Sequence, residues 1–204
     1  MKNFFYKNLP LSLQKIIAKV SGRFLMKEKF CLISPPWFAY GLLLATKQAK
    51  KYKLRGFTAI EFGVANGRGF KLLNEIKTKI EEIENIDIRL VGFDTGIGMP
   101  YSEDYRDHPD QYHESDFSME EDFKTKFKKN LILGDLRKTI PSFYSKLDEN
   151  YPIGFFSMDV DVYSATKCAL KLFEKKPQYY LPYVSRYFDD CSGRTHFSKF
   201  TGEL

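Results

Sequence analysis

Short apolar runs alternate with longer amphipathic segments from Phe57 onward, and this alternation constrains the fold more than any other feature of the chain. Strands are predicted at residues 58–62, 89–93, 131–133, 153–158 and 184–188. Helices are predicted at residues 68–84, 119–129, 141–147 and 165–175, with Ser118 (in a capping box with Glu121) and Ser164 as N-caps of the second and fourth. Because alternating strands and helices pair in parallel through right-handed crossovers, we expect an α/β fold with a doubly wound, mostly parallel sheet.

The composition is typical of one domain with an ordinary hydrophobic core. The chain has 204 residues, of which 43% are hydrophobic and 16% aromatic, and these values argue against disorder. The formal net charge is +6, but the basic residues are spread along the chain and are partly offset by acidic stretches. We therefore expect no nucleic-acid partner.

Cysteine use and hydropathy indicate a cytoplasmic location. Cys31, Cys168 and Cys191 lack the spacing of disulfide or metal motifs, which indicates small buried side chains in a reducing compartment. No run reaches the roughly 18 to 20 apolar residues of a membrane span, and the first residues lack the hydrophobic core of a signal peptide. We expect a cytoplasmic protein without a transmembrane segment.

Two further helices are predicted ahead of the first strand. Residues 9–24 place apolar side chains at helical spacing with basic residues between them, and residues 37–52 resume a helical pattern after two prolines. We expect residues 1–55 to form a helical extension packed on the same domain, or across a homodimer, and residues 56–204 to form the main domain. A basic amphipathic helix can also lie on a membrane or bind a partner, and that alternative stays open.

The stretch from Ala59 to Gly69 places an acid, Glu61, near the end of a strand, ahead of a glycine-rich turn and a helix start. Glycines allow positive φ and close approach to a ligand, and a helix start presents unpaired N–H groups. The spacing Gly63-x-x-x-Gly67-x-Gly69 differs from the dinucleotide-binding pattern, and no phosphate-loop motif is present. A ligand without a pyrophosphate is therefore favoured.

Acidic residues follow every predicted strand or lie at its end. They are Glu61, Asp94, Asp135, Asp159, Asp161, Asp189 and Asp190. The carboxyl ends of parallel strands share one edge of the sheet, and ligands bind at that edge in such folds. Turns and helix caps explain any one of these acids more easily than all of them together. Asp94 has two oxygens for the vicinal hydroxyls of a ribose, so we expect a ligand that contains a nucleoside.

Five stretches of the chain resemble class I S-adenosylmethionine-dependent methyltransferases, and more narrowly the macrocin O-methyltransferase group of sugar-modifying enzymes. They are residues 60–69 (IEFGVANGRG), 91–100 (VGFDTGIGMP), 134–141 (GDLRKTIP), 156–166 (FSMDVDVYSAT) and 187–190 (YFDD). The resemblance implies a Rossmann-like fold of the methyltransferase type with strand order 3-2-1-4-5. It also implies an O-methyltransferase that depends on S-adenosyl-L-methionine and Mg²⁺ and acts on a small-molecule acceptor such as a sugar.

The same resemblance implies a role for each site residue. Asp161 would be the general base. The cofactor would contact Glu61, Gly63, Val64, Ala65, Asn66 and Gly67 through its methionine part, Asp94 through its ribose, and Gly134 and Asp135 near its adenine. Asp159, Asp189 and Asp190 would hold Mg²⁺, a hard ion that prefers oxygen ligands. The histidines, His108, His113 and His196, lack the spacing of a zinc site.

Two features set this chain apart within that resemblance. It ends at Leu204, before the positions of strands 6 and 7, so we expect either a fragment or a curtailed fold. Residues 101–118 form a long polar and aromatic segment, which we expect to be a substrate-binding loop or else a mobile surface loop, with His108 or His113 as an alternative base. The alternative functions are a nucleoside-binding scaffold without turnover and, more weakly, a nucleotide-dependent oxidoreductase.

Overall fold

The computed structural model describes residues 9–29 and 31–189. The chain forms two compact units, Met1–Tyr40 and Gly41–Leu204. Helices α1 (Leu11–Ser21) and α2 (Phe24–Lys29) belong to the first unit, and α3 (Pro36–Lys51) begins in the first unit and ends in the second. The packing of a helical extension over residues 1–55 on a domain over residues 56–204 stays a prediction.

The second unit contains a parallel sheet. Its strands are β1 (Gly56–Phe62), β2 (Asp87–Asp94), β3 (Leu131–Leu133), β4 (Ile153–Met158) and β5 (Tyr180–Phe188). Its further helices are α4 (Arg68–Glu84), α5 (Glu121–Phe127), α6 (Leu136–Phe143) and α7 (Tyr163–Leu170). Neighbouring strands pair in parallel in the order β3-β2-β1-β4-β5, which confirms the predicted α/β fold and strand order. The strand order reverses between β1 and β4, and ligands bind at such a switch point.

One face of the sheet packs against α6 and α7. Side chains from β1, β4, both helices and the 3₁₀ helix after α7 (Lys171–Glu174) form a common core, which includes Ile60, Phe62, Phe156, Met158, Ile140, Phe143, Ala169 and Leu172. Phe93 links the layers, because its ring stacks on Phe62 and meets Phe143 edge to face, each at 5.2 Å between centroids. β1 and β4 are buried along their whole length, as central strands of a parallel sheet should be.

The other face of the sheet is covered by α4 and by the part of α3 that follows Tyr40. Gly41 of α3 lies against the ring of Phe155. α4 buries an apolar stripe with helical spacing, formed by Phe70, Leu73, Ile76 and Ile80. This arrangement places the start of α4 beside the end of β1, where Glu61 lies.

Two helices begin earlier than their sequence patterns predict, because their caps were not recognised. α6 begins at Leu136, since the Asp135 carboxylate accepts the N–H of Arg137 at 2.8 Å, and Pro141 lies inside the helix. α7 begins at Tyr163, so the predicted N-cap, Ser164, lies within the helix. β5 also begins earlier, at residue 180 rather than 184.

The predicted capping box at the start of α5 is wrong. The Ser118 hydroxyl donates to the carbonyl oxygens of Ser115 at 2.7 Å and Ile97 at 3.0 Å, so it closes the preceding loop. Glu120 occupies the N-cap position without a side-chain hydrogen bond. The acids Glu121 and Asp122 in the first turn stabilise α5 through its dipole instead.

Two of the three cysteines lie among the described residues. Cys31 and Cys168 are free thiols, and Cys191 lies outside the described residues. Cys31 is exposed and Cys168 is half-buried, so the prediction that these two are buried is wrong. Over residues 9–29 and 31–189, no helix has both the length and the apolar character needed to span a membrane.

Candidate functional site

A cavity of about 430 Å³ opens at the carboxyl edge of the sheet. It is lined by the turn after β1, the loop after β2, the start of α6 and the segment between β4 and α7. Small-molecule sites have volumes of roughly 300–1,000 Å³, so the cavity is large enough for one. The edge at which the sequence predicts a row of acids is therefore the edge that contains the cavity.

The turn after β1 brings the ends of two strands into contact. Gly63 has a φ of +80°, and its N–H donates to the carbonyl oxygen of Phe93 at 2.9 Å. A Cβ atom on Gly63 would collide with the carbonyl oxygen of Asp159, which follows β4. Glycine is required here by both conformation and space, because a side chain would force β1 and β4 apart.

Asp94 fixes the shape of this turn. Its Oδ2 atom accepts the N–H groups of Val64 and Ala65, both at 2.8 Å, and its Oδ1 atom accepts the N–H of Gly96 at 2.7 Å. A carboxylate offers about four lone-pair sites, so three backbone donors leave about one free. The sequence predicts only a ribose contact for Asp94, and the structure adds a second role, its hydrogen bonds to the turn.

Glu61 is buried behind the turn, on the face covered by α4. It is 2% exposed, and its Oε2 atom has no hydrogen-bond partner among the described residues. Gly69 provides the space for it, because a Cβ atom there would collide with Oε1. Burial raises the pKa of Glu61 well above its usual value, and the charges of Asp159 and Asp94 raise it further. A buried carboxyl oxygen without a donor is uncommon in folded proteins, so Oε2 is available to accept a hydrogen bond.

Gly134 and Asp135 line the cavity at the end of β3. The Asp135 carboxylate caps α6 and also accepts hydrogen bonds from the Arg137 side chain, at 2.8 Å between Oδ2 and Nε. These hydrogen bonds lower the pKa of Asp135, so the group is ionised at neutral pH. An anion here, at the rim of the cavity, is positioned to accept hydrogen bonds from a polar ligand.

Asp161 lies in a strained turn on the cavity wall. The N–H of Val162 donates to the carbonyl oxygen of Val160 at 2.7 Å, and Asp161 between them has a φ of +63°. A three-residue turn of this kind with positive φ is rare and costs energy, although aspartate tolerates it better than most residues. Strain of this kind is concentrated at functional sites, so it supports a chemical role for Asp161.

The predicted metal ligands lie at the ends of neighbouring strands. Asp159 follows β4 and lines the cavity, and the N–H of Asp189 donates to the carbonyl oxygen of Met158 at 3.1 Å. The Asp189 carboxylate accepts the Tyr187 hydroxyl at 2.6 Å and lies outside the cavity wall. Asp190 lies outside the described residues. Within residues 9–29 and 31–189, no three His, Cys, Asp or Glu side chains are grouped closely enough to hold a metal ion.

The long segment at residues 101–118 is docked on α7 through Asp107. This residue is 2% exposed, and its Oδ1 atom accepts the N–H of Ser164 at 2.8 Å, which caps α7. Its Oδ2 atom accepts the Ser102 hydroxyl at 2.6 Å. The guanidinium of Arg106 lies 4.1 Å from the centre of the Tyr163 ring, a second contact to the same helix. The segment contributes Tyr101, Ser102, Asp104, Asp107, Asp116 and Phe117 to the cavity.

Some predicted site residues lie in the cavity wall and others support it from behind. In the wall are Gly63, Ala65, Asp94, Gly134, Asp135, Asp159 and Asp161. Val64 is buried, the Asn66 side chain accepts the N–H of Arg68 at 3.1 Å, and Gly67 packs against the Phe123 ring. His108 and His113, the alternative bases, do not line the cavity. Sequence reasoning missed Asp107 and Cys168, which do.

The strand order and the cavity at the switch point define a Rossmann-like fold of the methyltransferase type. This chain is similar to a crystal structure of CalS11, a calicheamicin methyltransferase, with 20% sequence identity and a TM-score of 0.52. The similarity covers 84% of this chain and 69% of the CalS11 chain. The apo structure of CalS11, described as a TDP-rhamnose 3'-O-methyltransferase, is similar with 19% sequence identity and a TM-score of 0.46. This second similarity covers 91% of this chain and 74% of the CalS11 chain. No protein-family model matches the chain, and no curated protein matches it. At such low identity, the likeness establishes the fold.

Proposed function

We propose that this chain is an S-adenosylmethionine-dependent O-methyltransferase that methylates a hydroxyl of a sugar or another small polar acceptor. The observation that carries the proposal is the cavity, whose wall contains seven of the thirteen site residues expected from the sequence. The fold likeness to a methyltransferase structure supports the same reaction class. The acceptor class follows from the resemblance to sugar-modifying enzymes, and the CalS11 description as a TDP-rhamnose methyltransferase agrees with it.

The residues behind and around the cavity fit this cofactor. The unpartnered Oε2 atom of Glu61 would accept a hydrogen bond from the amino group of the methionine part, which would also neutralise its buried charge. The free lone pair of Asp94 would accept one ribose hydroxyl, while its other sites continue to hold the turn. Gly134 and Asp135 would lie beside the adenine.

The bound cofactor would supply a methyl group on a positively charged sulfur. Asp161 would take the proton of the acceptor hydroxyl and become a carboxylic acid. The hydroxyl oxygen would bond to the methyl carbon as the bond between that carbon and the sulfur breaks, which would leave the sulfur neutral. The loop at residues 101–118 would form the acceptor side of the site through Ser102, Asp104 and the exposed ring of Tyr101. By covering the cavity, this loop would also exclude water.

We extend the proposal to Mg²⁺ held by Asp159, Asp189 and Asp190. Its support is the adjacency of the Asp159 and Asp189 backbones at neighbouring strand ends, together with the preference of Mg²⁺ for carboxylate oxygens. The ion would polarise the acceptor hydroxyl when bound. Asp159→Asn and Asp189→Asn should each weaken Mg²⁺ binding in calorimetry while cofactor binding continues. Unchanged Mg²⁺ affinity in both variants would reject the metal site and leave the cofactor site standing.

Calorimetry with S-adenosylmethionine and a methyl-transfer assay with sugar nucleotides test the main proposal. We expect cofactor binding in the wild type, and in Asp161→Asn we expect binding with little or no turnover. Asp122→Asn, an exposed acid in the first turn of α5, is the matched control and should behave like the wild type. Absence of cofactor binding would reject both the enzyme and the nucleoside-binding scaffold. Binding without turnover on any acceptor would favour the scaffold.

We propose a cytoplasmic enzyme with a small-molecule acceptor and no nucleic-acid partner, and a homodimer stays a prediction. Size-exclusion chromatography with light scattering measures the oligomeric state directly.

A further inference from the structure

The net positive charge of the chain is confined to its first forty residues. That segment contains seven lysines and arginines and one acid, Glu28, which gives +6. The rest of the chain contains 25 basic and 25 acidic residues, so its formal charge is zero. Basic residues are therefore spread along the chain, but the excess of basic over acidic residues lies entirely in the first forty residues.

Helix α1, in the same segment, turns an apolar stripe toward solvent. Leu13, Ile16, Ile17 and Val20 follow the i, i+3, i+4, i+7 spacing of one helix face and are 45%, 57%, 37% and 81% exposed. The two buried residues of α1, Gln14 and Ala18, lie on the opposite side of the helix. The helix therefore buries an amide and a methyl group and exposes five large aliphatic side chains, the four of the stripe and Leu11 at its start.

The basic residues of the segment are placed beside this stripe. Lys15 and Lys19 are exposed and lie on the flank of α1 between the apolar stripe and the buried side, and Arg23 follows the helix end. The same unit also exposes Trp37 at 44% and Tyr40 at 62%, residue types that favour a membrane–water interface. An aliphatic stripe, flanking cations and aromatic side chains together are the features of helices that lie flat in an anionic membrane surface.

We propose that the Met1–Tyr40 unit docks the protein on an anionic lipid bilayer, with the Leu13, Ile16, Ile17 and Val20 stripe among the acyl chains and its basic residues on the headgroups. Charge decides between this occupant and a second copy of the chain, because two copies would bring two +6 segments together. A nucleic acid would use the cations and leave the aliphatic stripe in water. The proposal does not depend on the methyltransferase function.

Vesicle binding by the full chain tests this proposal. The chain has one tryptophan, Trp37, which reports on the docking unit without any label. We expect co-sedimentation with vesicles of equal parts phosphatidylcholine and phosphatidylglycerol, with a blue shift of Trp37 emission. Binding should weaken strongly as salt is added and should be far weaker to pure phosphatidylcholine. No co-sedimentation with the anionic vesicles would overturn the proposal.

Variants at exposed positions separate the apolar from the electrostatic contribution. Val20→Gln should lower the partition coefficient about tenfold, because it removes a buried aliphatic group from the lipid-bound state. Ile83→Gln changes an aliphatic side chain that is 48% exposed on α4 and is its matched control. Lys19→Gln should lower the partition coefficient about fivefold. Lys79→Gln replaces an exposed lysine on α4 and should leave the partition coefficient unchanged.

The same variants identify the result that would assign the stripe to another occupant. Equal losses in Val20→Gln and Ile83→Gln would contradict docking through α1. A dimer in light scattering that Val20→Gln dissociates, with no vesicle binding in the wild type, would assign the stripe to a second copy and overturn the membrane proposal. Circular dichroism of each variant shows that the fold is retained.

Discussion

Replacing Glu61 by glutamine tests the candidate site through the pH dependence of folding. Burial, followed by the charges of Asp159 and Asp94, raises the pKa of this carboxyl above its usual 4.5. Between pH 4.5 and the folded-state pKa, the folded chain keeps a proton that the unfolded chain has released. The wild type therefore loses stability as pH rises through this window, and Glu61→Gln, which cannot ionise, should lack this loss.

The size of the effect follows from proton linkage. Each pH unit within the window changes the free energy of unfolding by about 1.4 kcal/mol. For a domain of this length, that corresponds to roughly 3–5 °C in Tm. We expect the difference between Glu61→Gln and wild type to grow at this rate above pH 4.5 and then to level off above the folded-state pKa, with the variant more stable at neutral pH.

Urea unfolding followed by circular dichroism across this pH range measures the difference directly. Glu75→Gln changes an exposed glutamate on α4 and is the matched control for the loss of one carboxylate. Its curve should follow the wild-type curve. Parallel curves for wild type and Glu61→Gln would refute the conclusion that burial of this carboxyl opposes its ionisation.

The same substitution should have the opposite effect on the cofactor. If the ionised Glu61 binds the amino group of S-adenosylmethionine, wild-type affinity should increase with pH inside the window, by up to tenfold per unit. Glu61→Gln should bind more weakly at neutral pH and show no such increase. Calorimetry at two pH values decides the matter, and a stabilised variant that keeps wild-type affinity would remove Glu61 from the cofactor site.

Three further substitutions test the structure around the cavity. Asp107→Ala should lower the free energy of unfolding by about 2–4 kcal/mol, because it leaves the Ser164 N–H and the Ser102 hydroxyl without their acceptor. Asp110→Ala, on the exposed part of the same loop, should change this free energy little. Equal urea midpoints for the two variants would contradict the cap. Asp161→Val should lower the free energy of unfolding by about 2 kcal/mol because a β-branched residue resists positive φ, whereas Asp161→Asn should be as stable as the wild type. Equal thermal stability of both variants would refute the strained turn. Gly63→Ala should lower the free energy of unfolding by about 3 kcal/mol or more and yield little folded protein, since the added Cβ collides with the backbone oxygen of Asp159. A variant with wild-type Tm would show that β1 and β4 can separate.

Local patterns in the sequence predict most of the fold. The central strands are continuous apolar runs and α4 has a clear 3.6-residue period, so their positions follow from the residues themselves. The strand order came from the resemblance, because no local signal states which strands are neighbours. β5 begins earlier than predicted since Tyr180 and Leu181 precede Pro182, a residue that usually interrupts a strand pattern.

The site is less predictable because its key contacts join distant residues. Asp107 caps a helix that begins 56 positions later, and a cap motif is sought only within a few residues of the helix start. Asp94 holds a turn thirty residues earlier, a role that resembles a ligand contact in the sequence because both require an acid at a strand end. Residue type therefore indicates where the acids act, and only the fold shows which of them bind the backbone.

The Asp107 hydrogen bonds connect the acceptor side of the cavity to the backbone of α7. Because Asp107 joins Ser102 on the cavity wall to the Ser164 amide, a ligand that holds the loop in place also protects the first turn of the helix that follows Asp161. Acceptor binding should therefore slow deuterium uptake at the start of α7, even at amides that the ligand never touches. Hydrogen exchange would then give a direct screen for the natural acceptor, one that needs neither turnover nor a bound metal ion.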